Sequence, residues 1–247
     1  MKTVIVIGGT KGVGKQIVIE CIRREYNVIF TGTDENSANE LLNLLNSESC
    51  FFIKSNLNDI KSLKYVFDFC LTKFGKLDGF IQYAGITPIA SLTDCSEELY
   101  DNVFDINFKS AFFCSQFAIK IMEKNGGGSI IYFGSSHMDY GQIDRAPYAI
   151  TKGALYTLSN HIAHHYSRFK IRSNYLVMGW TDTEGELKLR ESQGVSKDEL
   201  NKLASEVIPM GRMLSVYDPV PSVMFLLSNE SEMITGSIIR VTGGEFI

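Results

Sequence analysis

The chain has 247 residues, 45% of them hydrophobic and 21% charged, which suits one large α/β domain spanning 1–247 and requires no second domain. A formal net charge of -4 leaves no electrostatic footprint for nucleic acid or an anionic membrane surface, so small-molecule chemistry is expected. Five cysteines, Cys21, Cys50, Cys70, Cys95 and Cys114, lack C-x-x-C spacing and are odd in number, which excludes a complete disulfide framework and fits reduced, buried thiols.

Met1-Lys2-Thr3 leads into four apolar residues, Val4 to Ile7, before glycine. That run is too short for a signal segment or a membrane span, and a cytoplasmic location is expected. It is the first of the predicted strands, which lie near Val4–Ile7, Val28–Thr31, Cys50–Lys54, Asp78–Gln82, Ser129–Phe133, Ile171–Val177 and Ile238–Val241. Helical patterns separate them, as in right-handed βαβ units. Runs such as Thr3-Val-Ile-Val-Ile7 are apolar throughout, as strands covered by helices on both faces are. The expected fold is a doubly wound, three-layer αβα sandwich around a seven-stranded parallel sheet.

Gly8, Gly12 and Gly14 follow the first strand and open a helix. Their backbone permits close approach of a pyrophosphate, and the helix N-terminus offers free N–H donors and a favourable dipole. The spacing G-x-x-x-G-x-G differs from the commoner G-x-G-x-x-G, and a tight strand-to-helix connection alone would also use it. At the end of the second strand, where an acid would bind ribose hydroxyls and repel a 2′-phosphate, stands Gly32. Lys11 and Thr33 could hold that phosphate, so NADP(H) is favoured. Asp34 as the ribose acid would make NAD(H) possible, although its place before a helical run also suits an N-cap.

Gly134-Ser135 falls just past the fifth strand, where open parallel sheets bind ligands. Thirteen residues on stands Tyr148-Ala-Ile-Thr-Lys152. On a helix Tyr148 and Lys152, at i and i+4, share one face, and a cation there favours phenolate and makes the phenol a usable acid or base. Ser135 would offer a hydroxyl to the same substrate oxygen, where charge develops as hydride arrives. The charged, glycine-containing stretch at about 183–213 interrupts the alternation and reads as a helical lid that would exclude water. His161, His164 and His165 share a helix face, yet no acidic or cysteine ligand lies near in sequence, and no metal site is expected.

Gly8-x-x-x-Gly12-x-Gly14, Asn107, Ser135, Tyr148 and Lys152 together resemble the single-domain short-chain dehydrogenase/reductase family. The likeness runs over essentially the whole chain, through Asn174, Gly179-Trp180-Thr-Asp-Thr183 and Gly243-Gly244. It implies a Rossmann-like fold and a catalytic set of Asn107, Ser135, Tyr148 and Lys152, in which Asn107 helps anchor a proton-relay water and Lys152 binds ribose. It also implies a cofactor-contacting set of Gly8, Thr10, Lys11, Gly12, Val13, Gly14, Thr33, Asn56, Leu57, Ala84, Gly85, Tyr148, Lys152, Gly179, Thr181 and Thr183. A homotetramer is implied too, with helices around Asn102–Lys124 and Tyr148–Phe169 packed between subunits, a use for the histidine face that outweighs a metal.

Several positions depart from the family pattern. Gln82-Tyr83-Ala84-Gly85 stands where Asn-Asn-Ala-Gly is usual, Asn56 replaces an aspartate, and Met178 and Ile7 replace proline and threonine. Around the substrate we expect Thr87, Pro88, His137 to Tyr140, Arg145, Met178, Trp180 and the lid. The polar members, His137, Asp139, Gln142 and Arg145, would suit a polar ketone, or they form an ordinary surface loop. The expected activity is NADP(H)-dependent interconversion of a ketone and a secondary alcohol. The alternatives are a 3-oxoacyl-carrier-protein reductase and a non-catalytic dinucleotide sensor or scaffold; an enoyl reductase is disfavoured because that branch usually spaces tyrosine and lysine farther apart.

Overall fold

A computed structural model describes residues 1–139 and 141–245 of the chain; Tyr140, expected near the substrate, lies outside them. The strands are β1 (Thr3–Ile7), β2 (Asn27–Gly32), β3 (Cys50–Lys54), β4 (Gly79–Gln82), β5 (Gly128–Ser135), β6 (Ile171–Met178) and β7 (Ile238–Val241). All pair in parallel, in the order β3-β2-β1-β4-β5-β6-β7. The order reverses between β1 and β4, so their carboxyl ends flank the crevice where such sheets bind ligands.

Successive side chains leave opposite faces of a strand, and here both faces are apolar. Ile5, Ile7, Phe80, Tyr132, Tyr175 and Val177 meet one helical layer; Val4, Val6, Phe30, Ile81, Phe133 and Leu176 meet the other. The first layer holds α3 (Ile60–Phe74), α5 (Ser110–Met122) and α6 (Ala146–His165); the second holds α1 (Gly12–Arg23), α2 (Glu35–Leu45) and α9 (Val220–Leu227). Burying each such isoleucine or phenylalanine fully contributes about 1.5–3 kcal/mol, so the sheet carries most of the apolar core. Ser135 is the last residue of β5 rather than the first beyond it, because pairing with β6 continues to Ser135↔Met178.

The predicted helix over 102–124 is interrupted. α4 (Glu97–Phe104) runs into a π-helical turn, Asp105–Lys109, before α5 begins. That turn widens the helix by one residue and buries Asn107, which is 1% exposed, a deviation that recurs at functional sites. The helix from Tyr148 ends at His165, and Ser167–Phe169 forms a 3₁₀ turn closed by Lys170 at φ 59°.

The stretch at about 183–213 contains α7 (Glu184–Ser192), capped by the Thr183 hydroxyl, and α8 (Lys197–Val207), capped reciprocally by Ser196 and Glu199. Leu200, Ala204, Ile208 and Met213 make a small separate cluster there, against which Trp180, Leu187 and Val195 pack. The last helix starts at Val220 and not Asp218, whose carboxylate instead accepts from Arg212 and the Ser215 N–H. Cys21, Cys50, Cys70 and Cys114 are free and buried, but Cys95 is only half-buried. Among the described residues no helix is long and apolar enough to cross a membrane.

Candidate active site

The glycine turn after β1 is shaped by contacts that leave no room for side chains. At Gly8, with φ 93°, a Cβ would lie 2.7 Å from the Ala84 Cβ, and at Gly14 it would lie 2.0 Å from the Gly8 carbonyl oxygen. The first turn of α1 is therefore pressed against the end of β1. Lys11, its N-cap residue, makes no side-chain cap, so the helix N-terminus keeps backbone donors and its positive end for an anion. This uncapped turn of glycines fits a dinucleotide pyrophosphate.

Gly32 has a steric cause. A Cβ there would lie 2.6 Å from Cγ2 of the buried Thr10, so an acid at this position would have to displace the Thr10 side chain. Asp34 caps α2, its carboxylate accepting from the Ser37 N–H and hydroxyl. The same carboxylate pairs with Lys11 Nζ at 2.6 Å. Lys11, followed by the Ser37 bonds, holds the Asp34 carboxyl well below its ordinary value, while the bond to Asp34 raises Lys11. Lys11, expected at a 2′-phosphate, is thus tied to Asp34 here. Thr33 is exposed beside them; Asn56 is exposed and its side-chain oxygen accepts from the Asn58 N–H, and Leu57 packs on the core.

Tyr148 and Lys152 lie one turn apart on α6, with Lys152 Nζ 5.5 Å from the centre of the Tyr148 ring. The amine is buried and donates to the Phe133 carbonyl at 2.8 Å. Burial pushes the Lys152 ammonium down to about 8. Burial also raises the Tyr148 phenol, opposed by a hydrogen bond from the Ser135 side chain and then by the charge of Arg145. In this state the Lys152 amine is directed at a strand carbonyl, and the pull that opposes burial at the phenol comes from Ser135 and Arg145.

Asn107 stands behind this pair. Its amide accepts from the Ile86 N–H at 2.8 Å and donates to the Ile86 carbonyl at 2.9 Å and to Thr151 Oγ1 at 3.2 Å. It therefore ties the loop after β4 to α6. A Cβ on Gly85 would lie 2.9 Å from Asn107 Oδ1 and 3.9 Å from Lys152 Nζ, so these three groups converge. Tyr175 donates to the Lys152 carbonyl at 2.8 Å, fixing α6 on β6; its ring occupies the place of any side chain at Gly134.

On the substrate side, the His137 ring stands edge-on to Tyr148 at 5.6 Å, and its Nδ1 accepts from the Gln142 N–H. Burial first, and Arg145 second, lower the His137 pKa, keeping the imidazole neutral. Arg145 is bound to the Asp144 carbonyl and carboxylate, and Asp139 to Arg240. Much of the polarity expected to meet a substrate is thus paired within the chain. Trp180 donates through Nε1 to Glu186 and lies under the Arg190 guanidinium at 5.2 Å. Gly179, Thr181 and Thr183 lie in the connection from β6 to α7, with the Thr181 hydroxyl bound to the Gly179 carbonyl. Ala84 lies against Gly8.

Some neighbours carried no prior signal. Glu245 reaches back to accept from the Trp180 N–H at 2.7 Å, and burial raises its carboxyl pKa. Thr151, between Tyr148 and Lys152 in sequence, orients Asn107. The His161 and His165 rings lie tilted at 4.5 Å on the exposed side of α6; among the described residues no three potential metal ligands converge.

The family model described as enoyl-(acyl carrier protein) reductase matches residues 8–245. An uncharacterized oxidoreductase of Thermotoga maritima is 30% identical over 246 residues, 98% of this chain and 96% of that protein. The 3-oxoacyl-(acyl-carrier-protein) reductase FabG of Escherichia coli is 28% identical, over 100% of this chain and 98% of that one. The actinorhodin polyketide ketoreductase solved with NADPH superposes at TM-score 0.92 with 20% identity, covering 99% of this chain and 97% of that one. At that identity the likeness speaks for the fold.

Proposed function

The chain belongs to the short-chain dehydrogenase/reductase family, and from that premise we propose that it is an NADP(H)-dependent oxidoreductase interconverting a ketone and a secondary alcohol on a small, polar substrate. The observation that carries this is the convergence of Ser135, Tyr148, Lys152 and Asn107 at the strand ends beside the uncapped glycine turn. Residues Gly8 to Gly14, with Ala84, Gly85, Lys152, Gly179, Thr181 and Thr183, would hold a nicotinamide dinucleotide, and Thr33, Asn56 and Leu57 would border its adenosine end. When bound, the nicotinamide gives or takes the hydride at the carbinol carbon.

The chain's own groups handle the proton. In reduction Ser135 donates a hydrogen bond to the carbonyl oxygen and Tyr148 delivers its proton there as that oxygen gains charge. In the reverse direction the Tyr148 oxygen takes the alcohol proton. Lys152 holds the ribose and supplies the positive charge that stabilises the phenolate left behind. Asn107 positions the loop after β4 against α6. His137 and Arg145 border the substrate, and α7 and α8, entered through Trp180, close over it and exclude water.

A 3-oxoacyl thioester as substrate is the second reading, favoured by the several 3-oxoacyl-(acyl-carrier-protein) reductases at 27–28% identity over the full chain. The preference for NADP(H) over NAD(H) rests on Lys11 and on glycine instead of an acid at position 32. A homotetramer formed through α5 and α6 completes the proposal; it would cover Phe112 and Ile150, exposed apolar side chains on those helices. Titration with NADPH and with NADH, read by quenching of Trp180, tests it. Tighter binding of NADPH supports the assignment, the reverse preference moves the ribose contact to Asp34, and binding of neither overturns the dinucleotide site.

A further inference from the structure

Tyr83 is one of the residues that departs from the family pattern, and its ring is built into the glycine turn. The phenolic oxygen would lie 3.2 Å from a Cβ on Gly12, and the ring Cδ1 2.9 Å from one on Gly14. The ring therefore covers the two glycines that open α1. The Val13 backbone N–H, one of the free donors of that helix end, is directed at the phenolic oxygen. On its other side the ring meets Phe133 edge-on at 5.1 Å, and the Phe133 carbonyl is the group that receives Lys152.

We propose that Tyr83 is a pyrophosphate-contacting residue of the dinucleotide site, donating its O–H to the anion when a dinucleotide binds. The inference rests on the dinucleotide reading above and adds a ligand from β4 to the backbone of the turn. A phenol both accepts and donates. The phenolic oxygen stands beside Gly12, where its proton can be given to an anion seated on the turn. A phosphate oxygen is the stronger acceptor for the Val13 N–H, because charge-assisted bonds are roughly twice as strong as neutral ones. The phenol stands at the edge of the same anion, and the aromatic contact with Phe133 limits how far it can withdraw.

The test is Tyr83→Phe, which keeps the ring and its contact with Phe133 and removes only the hydroxyl. Binding of NADPH, NADH and ADP-ribose is measured by calorimetry for wild type and variant, with the thermal midpoint as a check on folding. All three ligands share the pyrophosphate, so Kd should rise by about tenfold for each, as expected for losing a hydrogen bond to a charged group. Unchanged affinity would overturn the proposal by making Tyr83 a packing residue, and tighter binding would overturn it by making the phenol a plug. Failure of wild type to bind any of the three would instead overturn the dinucleotide reading, and this inference with it.

Discussion

Gln82 offers a sharp test of the packing beneath the site. Its side chain is 1% exposed and neither amide atom has a hydrogen-bond partner among the described residues. It ends β4 between Ile7 and Tyr132, on the sheet face shared with Phe80. A buried donor or acceptor left unmet costs about 1–3 kcal/mol, and replacing it with an apolar group of similar shape removes that cost. Methionine matches glutamine in length and fills irregular space without polar demands. Gln82→Met should therefore stabilise the fold by about 2 kcal/mol, taking the low end for two atoms because the neighbours must adjust. For a chain of this size that corresponds to a rise of roughly 4–8 °C in Tm. In urea the midpoint should increase at constant m. Gln82→Asn, which shortens the chain and keeps the amide, should instead lose about 1 kcal/mol. A Gln82→Met protein less stable than wild type would show that the amide is satisfied, for example by an enclosed water, and would refute the reasoning.

Two further predictions concern charge. Asp34→Asn preserves the cap on α2, since Asn and Asp rank together there, and removes the anion that holds Lys11; Kd for NADPH should fall about fivefold while Kd for NADH stays where it was, allowing for solvent screening. Weaker NADH binding with no gain for NADPH would assign Asp34 to the ribose. For Lys152, burial lowers the pKa from 10.5 to about 8, so between those values the unfolded chain binds more protons than the folded one and this group's contribution to stability rises with pH. Lys152→Met should thus gain on wild type by up to roughly 3 kcal/mol below pH 8, and that difference should shrink as pH rises through the window. Loss of the bond to Phe133 adds a constant offset only. Urea melts at several pH values measure the slope, and a difference independent of pH would contradict it.

The strands were legible because a buried parallel strand is apolar on both faces, and Cys50–Lys54 and Ile238–Val241 match the observed bounds. Gly8, Gly12 and Gly14 were legible as a turn because their spacing follows such a run, and Tyr148 and Lys152 as neighbours because helical geometry places i and i+4 together. The π-helical turn at Asp105–Lys109 was not legible, since one inserted residue leaves the surrounding apolar period almost unchanged. Nor did the i, i+4 spacing show that the Lys152 amine would turn to the Phe133 carbonyl, a contact set by the packing of α6 on β5. The Lys11–Asp34 pair, the closure of Glu245 on Trp180 and the seat of Tyr83 over Gly12 likewise join residues distant in sequence, where only tertiary structure specifies the partner.

The most direct measurement is oxidation of NADPH, followed by nicotinamide absorbance, with wild type and Tyr148→Phe side by side against polar ketones and a 3-oxoacyl thioester. Wild type should turn over at least one of these, and Tyr148→Phe should lose about 10²–10⁴ of that rate while still binding NADPH, as removal of a positioned proton donor does. Turnover by Tyr148→Phe at the wild-type rate would remove Tyr148 from the chemistry, and tight NADPH binding without turnover of any substrate by wild type would make the protein a dinucleotide sensor or scaffold instead of an enzyme.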